Sequence, residues 1–142
     1  MGRLIFLDFD GVLRRVTSNP TSFDDDCLEH FESAVRQCPV SKIVITSTWR
    51  LANSLKELRN RFSPDIAARI VGGTPENFDD ETFQRHAEVL MFLAEKKLSA
   101  MPWFAIDDDP EHYPHDAPLL LTDANKGFDA ACNASLVKIL LG

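Results

Sequence analysis

Leu4-Ile5-Phe6-Leu7-Asp8-Phe9-Asp10-Gly11 runs four apolar residues directly into two acids and a glycine. An uninterrupted apolar run this short suits a strand covered on both faces of a parallel sheet, because both alternating sets of side chains must leave water. The pattern recurs along the chain. Ile43-Val44-Ile45 is β-branched throughout and reads as a second buried strand. Ile70-Val71 before Gly72-Gly73 gives a short third strand, Trp103-Phe104-Ala105-Ile106 a fourth and Leu119-Leu120-Leu121 a fifth.

Helical spacing fills the intervals. A helix is expected to start near Ser22 to Asp24, with Leu28, Phe31, Val35 and Cys38 on one face. Trp49 opens a second amphipathic segment carrying Leu51, Leu55, Leu58 and Phe62 on one side, and Ser63-Pro64 fits a cap and first position of a further short turn. The acidic start Asp79-Asp80-Glu81 and the series Phe83, Ala87, Leu90, Ala94 predict the longest helix, ending near Lys96-Lys97. Asp129 can cap a last helix with Leu136, Ile139 and Leu140. Alternation of this kind predicts an α/β fold: a three-layer, Rossmann-like arrangement with a mostly parallel five-stranded sheet and right-handed crossovers.

The 142 residues, 44% apolar and 26% charged, read as one globular domain over 1–142, with no repeat, low-complexity tract or linker dividing it. A net charge of −7 disfavours nonspecific attachment to nucleic acid or anionic lipid, while leaving room for a nucleic-acid end held by a local basic patch. The early apolar run is too short for a signal peptide or a membrane span, so the expected compartment is the cytoplasm. Cys27, Cys38 and Cys132 lack metal-ligand spacing and read as reduced, packed thiols.

Ligands of open parallel sheets bind beyond the carboxyl ends of the strands. The polar groups at those ends are Asp8, Asp10, Thr46, Ser47, Thr48, Asp107, Asp108 and Asp109. Converging carboxylates repel one another unless a cation sits among them, and oxygen ligands without His or Cys suit Mg²⁺. Asp8 and Asp10 project in similar directions, with Gly11 permitting the turn; one can attack phosphorus while the other moves the leaving-group proton. Without the other groups the same turn is an ordinary Asx turn. Thr46-Ser47-Thr48, between a strand and a helix, offers hydroxyls and main-chain N–H groups to phosphate, and one of the three is expected simply to cap that helix.

These segments carry a resemblance. Leu7-Asp8-Phe9-Asp10-Gly11-Val12-Leu13, Ile43-Val44-Ile45-Thr46-Ser47 and Ala105-Ile106-Asp107-Asp108, in that order, resemble the haloacid dehalogenase superfamily of phosphohydrolases over nearly the whole chain. Ser47-Thr48-Trp49-Arg50 and Gly73-Thr74-Pro75 look like a compact branch related to the phosphatase-like domain of multidomain RNA-repair proteins. The resemblance implies a Mg²⁺-dependent phosphatase with Asp8 as nucleophile and Asp10 as acid/base. It implies Mg²⁺ on Asp8, the Asp10 carbonyl and Asp107, with Asp108 close by, and Thr46 or Ser47 on the transferring phosphoryl group. It also implies a Lys or Arg before the fourth strand facing Asp8; no lysine stands there, and Arg85 is the candidate.

Larger members carry a cap domain, for which neither Gly11–Lys42 nor the segment after Trp49 has room. An open site is therefore expected, suited to polynucleotide ends or phosphoproteins. Arg14 and Arg50, with Arg15, lie beside the first two motifs and are candidates for extra substrate phosphates, alongside Gly11 and Thr48. Trp49 reads as packing in preference to a base-stacking platform, and His112 and His115 as part of a solvated, proline-rich loop. The alternative is a receiver-like or degenerate module that binds Mg²⁺ and phosphate without turnover. Receivers place their acceptor carboxylate after a central strand, whereas the third strand here ends in Gly72-Gly73. A carbon–halogen hydrolase needs neither a proton for a leaving oxygen nor Mg²⁺, so Asp10 and the acidic triplet count against it.

Overall fold

The computed structural model describes residues 2–78 and 82–142. Five strands form one all-parallel sheet: β1 (Leu4–Leu7), β2 (Lys42–Ile45), β3 (Ile70–Gly73), β4 (Trp103–Asp107) and β5 (Leu119–Leu121), in the order β3-β2-β1-β4-β5. β1 is central, and its neighbours are reached by crossovers on opposite sides, so the strand order reverses at β1/β4. That is the place where a parallel sheet opens a crevice beyond its strand ends.

Alternate side chains of the buried strands supply two cores. Ile5, Leu7, Ile43, Ile45, Phe104 and Ile106 face α1 (Asp25–Arg36) and, later in the chain, α6 (Ala130–Leu141). Leu4, Phe6, Val44 and Ala105 face the other way, onto Val89, Phe92 and Leu93 of α5 (Gln84–Glu95). Asp24 stands at the N-cap of α1, and the Asp129 carboxylate caps α6 by accepting from the Cys132 N–H, as expected. Cys27 and Cys38 are buried, free thiols, and burial pushes the Cys27 thiol up to about 11. No cap domain interrupts the sheet among the described residues, and no helix there is long and apolar enough to cross a membrane.

Two expected helices differ. The segment opening at Trp49 is broken: α2 (Trp49–Ala52) stops at Asn53, and α3 (Leu55–Arg59) restarts behind Ser54. The cause is a capping box, in which the Ser54 hydroxyl accepts from the Glu57 N–H and the Glu57 carboxylate accepts from the Ser54 N–H. Leu58 and Phe62 are buried, whereas Leu51 is 51% exposed. The short helix α4 (Pro64–Ala67) begins with Pro64, as read. The other correction concerns α5. It is as long as α1 and α6, at 12 residues, and its acidic start at 79–81 lies outside the described residues. Its inner face carries Glu88, Val89, Phe92 and Leu93, while Phe83 and Leu90 of the expected stripe are exposed.

Candidate active site

β1 delivers Asp8 to the centre of the sheet edge. Its N–H donates to the Ile106 carbonyl at 3.1 Å, so the chain stays beside β4 for one residue beyond the strand. β4 ends in Asp107, and Asp108 follows. Carboxylate oxygens of Asp8, Asp107 and Asp108 all lie within 4.8 Å of one another, with Asp8 and Asp107 buried. The turn after Asp8 is tight: the Phe9 carbonyl accepts from the N–H groups of Val12, Leu13 and Arg14. Gly11 has φ +78°, and a Cβ there would sit 2.2 Å from Asp108 Oδ2. Left-handed backbone and close approach both demand glycine. The buried Thr122 hydroxyl pins this turn from behind by donating to the Gly11 carbonyl at 2.8 Å.

Gly11→Ala is therefore expected to displace Asp108, costing about 1–3 kcal/mol of stability from backbone strain and clash. It should also weaken divalent-cation binding. Thermal unfolding with and without Mg²⁺ checks both effects, and an alanine protein with wild-type Mg²⁺ stabilisation would contradict the placement.

Two acids of the triplet are hard to ionise. Burial and the Asp107 charge raise Asp8 well above the usual carboxylate range; the Arg85 guanidinium and the Phe9 N–H act in the opposite direction. Asp108 is pushed up to about 6 by burial, by its hydrogen bond with Asp107 and by the Asp107 charge. Three carboxylates gathered this closely fit a hard divalent ion, which would relieve their repulsion. The Asp10 carboxylate lies outside the triplet. Its Oδ1 accepts from Arg14 Nε at 2.8 Å and Trp49 Nε1 at 3.3 Å, while Oδ2 has no partner among the described residues.

None of the three hydroxyls after β2 makes the expected capping bond from the N-cap position, which is Thr48; the nearest to it is Ser47, one residue earlier, whose Oγ accepts from the Trp49 N–H at 3.2 Å. Thr46 is fully buried, and its hydroxyl has no partner among the described residues. Thr48 is exposed and makes no capping bond. Arg85 lies where its charge acts on Asp8; its Nη1 donates to Glu88 Oε1 at 3.2 Å, and its buried Nε has no partner among the described residues.

Two expected substrate contacts are redirected. The Arg50 side chain is only 6% exposed, and its guanidinium donates to the carbonyls of Thr46, Ser47, Thr74 and Pro75 and pairs with Glu88 at 3.0 Å. Arg14 is held by Asp10 and by the carbonyls of Arg15 and Ser18. Those donors are thus engaged within the protein. Trp49 packs as expected, edge-on to Phe9 and stacked with Phe23, but its N–H also orients Asp10. Its outer side borders a cavity of about 330 Å³ that Thr48, Asn53 and Arg61 help to line, with the Arg61 guanidinium 5.2 Å from the indole centroid.

His112, expected in a solvated loop, instead touches the triplet. Asp107 Oδ1 accepts from the Asp109 N–H at 2.9 Å, and Oδ2 lies 3.0 Å from His112 Nδ1; the bond to Asp107 raises the imidazole pKa. An imidazole behind a carboxylate fixes that carboxylate's orientation. The available signal was Asp109-Pro110, an N-cap and N1 pair: the Asp109 side chain caps a 3₁₀ turn, Pro110–His112, that points His112 back at Asp107. Buried Tyr113, whose hydroxyl has no partner among the described residues, was likewise not anticipated.

Residues 4–132 match the family model described as the HAD domain in Swiss Army Knife RNA repair proteins. The chain belongs to that family. Its sheet, acidic edge and lack of a cap among the described residues are those of a phosphohydrolase-like HAD domain, in the compact form. No curated protein and no solved structure matches the chain. In this HAD domain the central strand ends in an acid, Asp8, whereas β3, whose end lacks one, lies at the sheet edge.

Proposed function

We propose that this HAD domain is a Mg²⁺-dependent phosphomonoesterase that works through an aspartyl-phosphate on Asp8. The observation that carries the reading is the division of labour among acids at one sheet edge. Asp8 belongs to a buried triplet with Asp107 and Asp108, while Asp10 stands two residues away with one oxygen oriented by Trp49 and the other unpartnered among the described residues. A module that only bound phosphate would have no use for a separately oriented acid.

Asp8, Asp107 and Asp108 would hold Mg²⁺, with the Asp10 carbonyl as a further ligand that the family resemblance supplies. Bound there, the ion neutralises phosphate charge and so permits a carboxylate to approach an anionic ester. Asp8 attacks phosphorus, forming one P–O bond as the ester P–O bond breaks, and Asp10 gives its proton to the departing alkoxide. Asp10 then takes a proton from water as that water attacks the phosphoryl group, returning Asp8 and releasing phosphate. The Thr46 hydroxyl and the Arg85 guanidinium hold the transferring phosphoryl oxygens.

The leaving alcohol must lie on the Asp10 side, since Asp10 gives it a proton, and Asp10 is bonded to Trp49, whose indole also borders the cavity that Arg61 helps to line. An open site of this kind suits a large substrate, and the family's description in RNA-repair proteins favours a phosphorylated polynucleotide end over a phosphoprotein. Phosphate release from 3′- and 5′-phosphorylated oligonucleotides, phosphopeptides and small phosphate esters tests this. Activity confined to phosphopeptides would overturn the substrate class, and no Mg²⁺-dependent release from any ester would overturn the function.

The raised carboxylates also set the pH behaviour. Ligands must be ionised, so Mg²⁺ binding displaces protons, and affinity should fall as pH drops through about 6, the range of Asp108. Calorimetric titration with MgCl₂ at pH 5, 6, 7 and 8 reads this directly. A pH-independent affinity would place the ion elsewhere.

A further inference from the structure

Glu88 is 1% exposed, lies on the inner face of α5, and has no place in the chemistry described above. Its Oε1 accepts from Arg85 Nη1 at 3.2 Å, and its Oε2 accepts from Arg50 Nη2 at 3.0 Å and from the Asn77 N–H at 3.0 Å. Arg50 in turn donates to the carbonyls of Thr46 and Ser47, at 2.9 and 3.0 Å, and to those of Thr74 and Pro75. A continuous chain thus runs from the main chain of Thr46, through Arg50 and Glu88, to Arg85, whose charge acts on Asp8.

We propose that Glu88 is a positioning residue that locks the cation of the phosphoryl cradle, Arg85, to its hydroxyl, Thr46. The inference rests on the phosphatase reading of the site. One buried carboxylate shared between two guanidiniums fixes both, because neither can swing away without leaving the carboxylate half-paired in a low-dielectric interior. With Arg85 Nη1 tied back to Glu88, the unpartnered Arg85 Nε is left to donate to the phosphoryl group. Glu88 itself touches neither substrate nor the metal ligands; it acts through Arg85 on one side and through Arg50 and the Thr46 carbonyl on the other.

The test compares wild type with Glu88→Gln, Glu88→Asp, Arg85→Ala and the Glu88→Gln/Arg85→Ala double variant. Glu88→Gln is expected to lower kcat for an aryl phosphate about tenfold to a hundredfold, the scale of one misplaced transition-state donor, with KM little changed. Orthovanadate inhibition should weaken in parallel, while calorimetric Mg²⁺ affinity stays at the wild-type value. Glu88→Asp, which keeps the charge, should recover part of the loss. In the Arg85→Ala background the glutamine should add almost nothing, since the two residues act as one unit.

Losses that multiply in the double variant, or a Glu88→Gln protein with wild-type kcat, would overturn the proposal. Should the glutamine variant fail to fold, Glu88→Asp carries the same comparison, and unchanged kcat and vanadate inhibition there would overturn it. If wild type releases no phosphate from any ester, the phosphatase reading fails separately. Calorimetric binding of inorganic phosphate in the presence of Mg²⁺ then decides the positioning role: weaker binding by Glu88→Gln supports it, and equal or absent binding in both proteins refutes it.

Discussion

An Asp8→Asn protein should release phosphate from an aryl ester at about 10⁻⁴ of the wild-type rate or less, the scale seen when a covalent nucleophile is removed. The same substitution should make the metal-free protein more stable. Asp8 is held well above its usual range by burial and by Asp107, and Asp108 is pushed from 3.8 to about 6. A carboxyl raised on folding binds more protons in the native state than in the unfolded chain. Stability is therefore lost as pH rises from near 4 through about 6, and stays lost above it.

An amide at position 8 removes one of the repelling charges, so thermal unfolding without metal at pH 7.5 should show a gain of about 1–2 kcal/mol. Mg²⁺ should stabilise wild type and do so less in the variant. Loss of activity together with a rise in Tm separates a functional acid from a structural one. A variant that is both inactive and less stable would mean that Asp8 serves the fold.

Asp10→Asn carries the second large effect, about 10²- to 10⁴-fold in kcat, the usual worth of a positioned acid/base. The amide can still accept from Arg14 and Trp49, whose contacts fall on Oδ1, so the local geometry should survive. The loss should depend on the leaving group. An alkyl phosphate, whose alkoxide must be protonated as it departs, should suffer the larger loss in the first step; a nitrophenyl phosphate, which needs little help, should show its phosphorylated intermediate accumulating because dephosphorylation has lost its base. Equal losses for both esters, with no accumulation, would remove Asp10 from the proton transfers.

The strands, the start of α1 and the cap of α6 were legible because each rests on a local signal: a short uninterrupted apolar run, or an Asp before an amphipathic stretch. The α5 face was not, and Glu88 shows why. Residues 89–94 are apolar all round the helix, so the choice of inner face turned on the charged positions, and a glutamate ordinarily marks the outside. Its partners, Arg50 and Arg85, make burial tolerable, but Arg50 stands 38 residues away in sequence and no periodicity announces it. The acceptors of Arg14 and Arg50 were hidden for the same reason: a cation beside a phosphate motif looks available until its partners are known. The break between α2 and α3 was readable, since Ser54 and Glu57 have capping-box spacing, and went unused because the apolar spacing around it was continuous.

The acids at the strand ends were brought together because parallel topology alone guarantees that strand ends meet. What the topology does not carry is orientation. That the Ser47 hydroxyl accepts from the Trp49 N–H while the Thr46 hydroxyl stays unpartnered among the described residues, and that His112 turns back onto Asp107, depend on loop geometry that only the folded chain displays.

The most direct test of the central claim is to mix wild-type protein with excess aryl phosphate and Mg²⁺, quench in acid within the first turnovers, and map the phosphorylated peptide by mass spectrometry. The account predicts an acid-stable, hydroxylamine-sensitive phosphoryl adduct on Asp8, formed only with Mg²⁺ and more abundant in Asp10→Asn. An adduct on another residue, or steady phosphate release with Asp8 unmodified in both proteins, would contradict it.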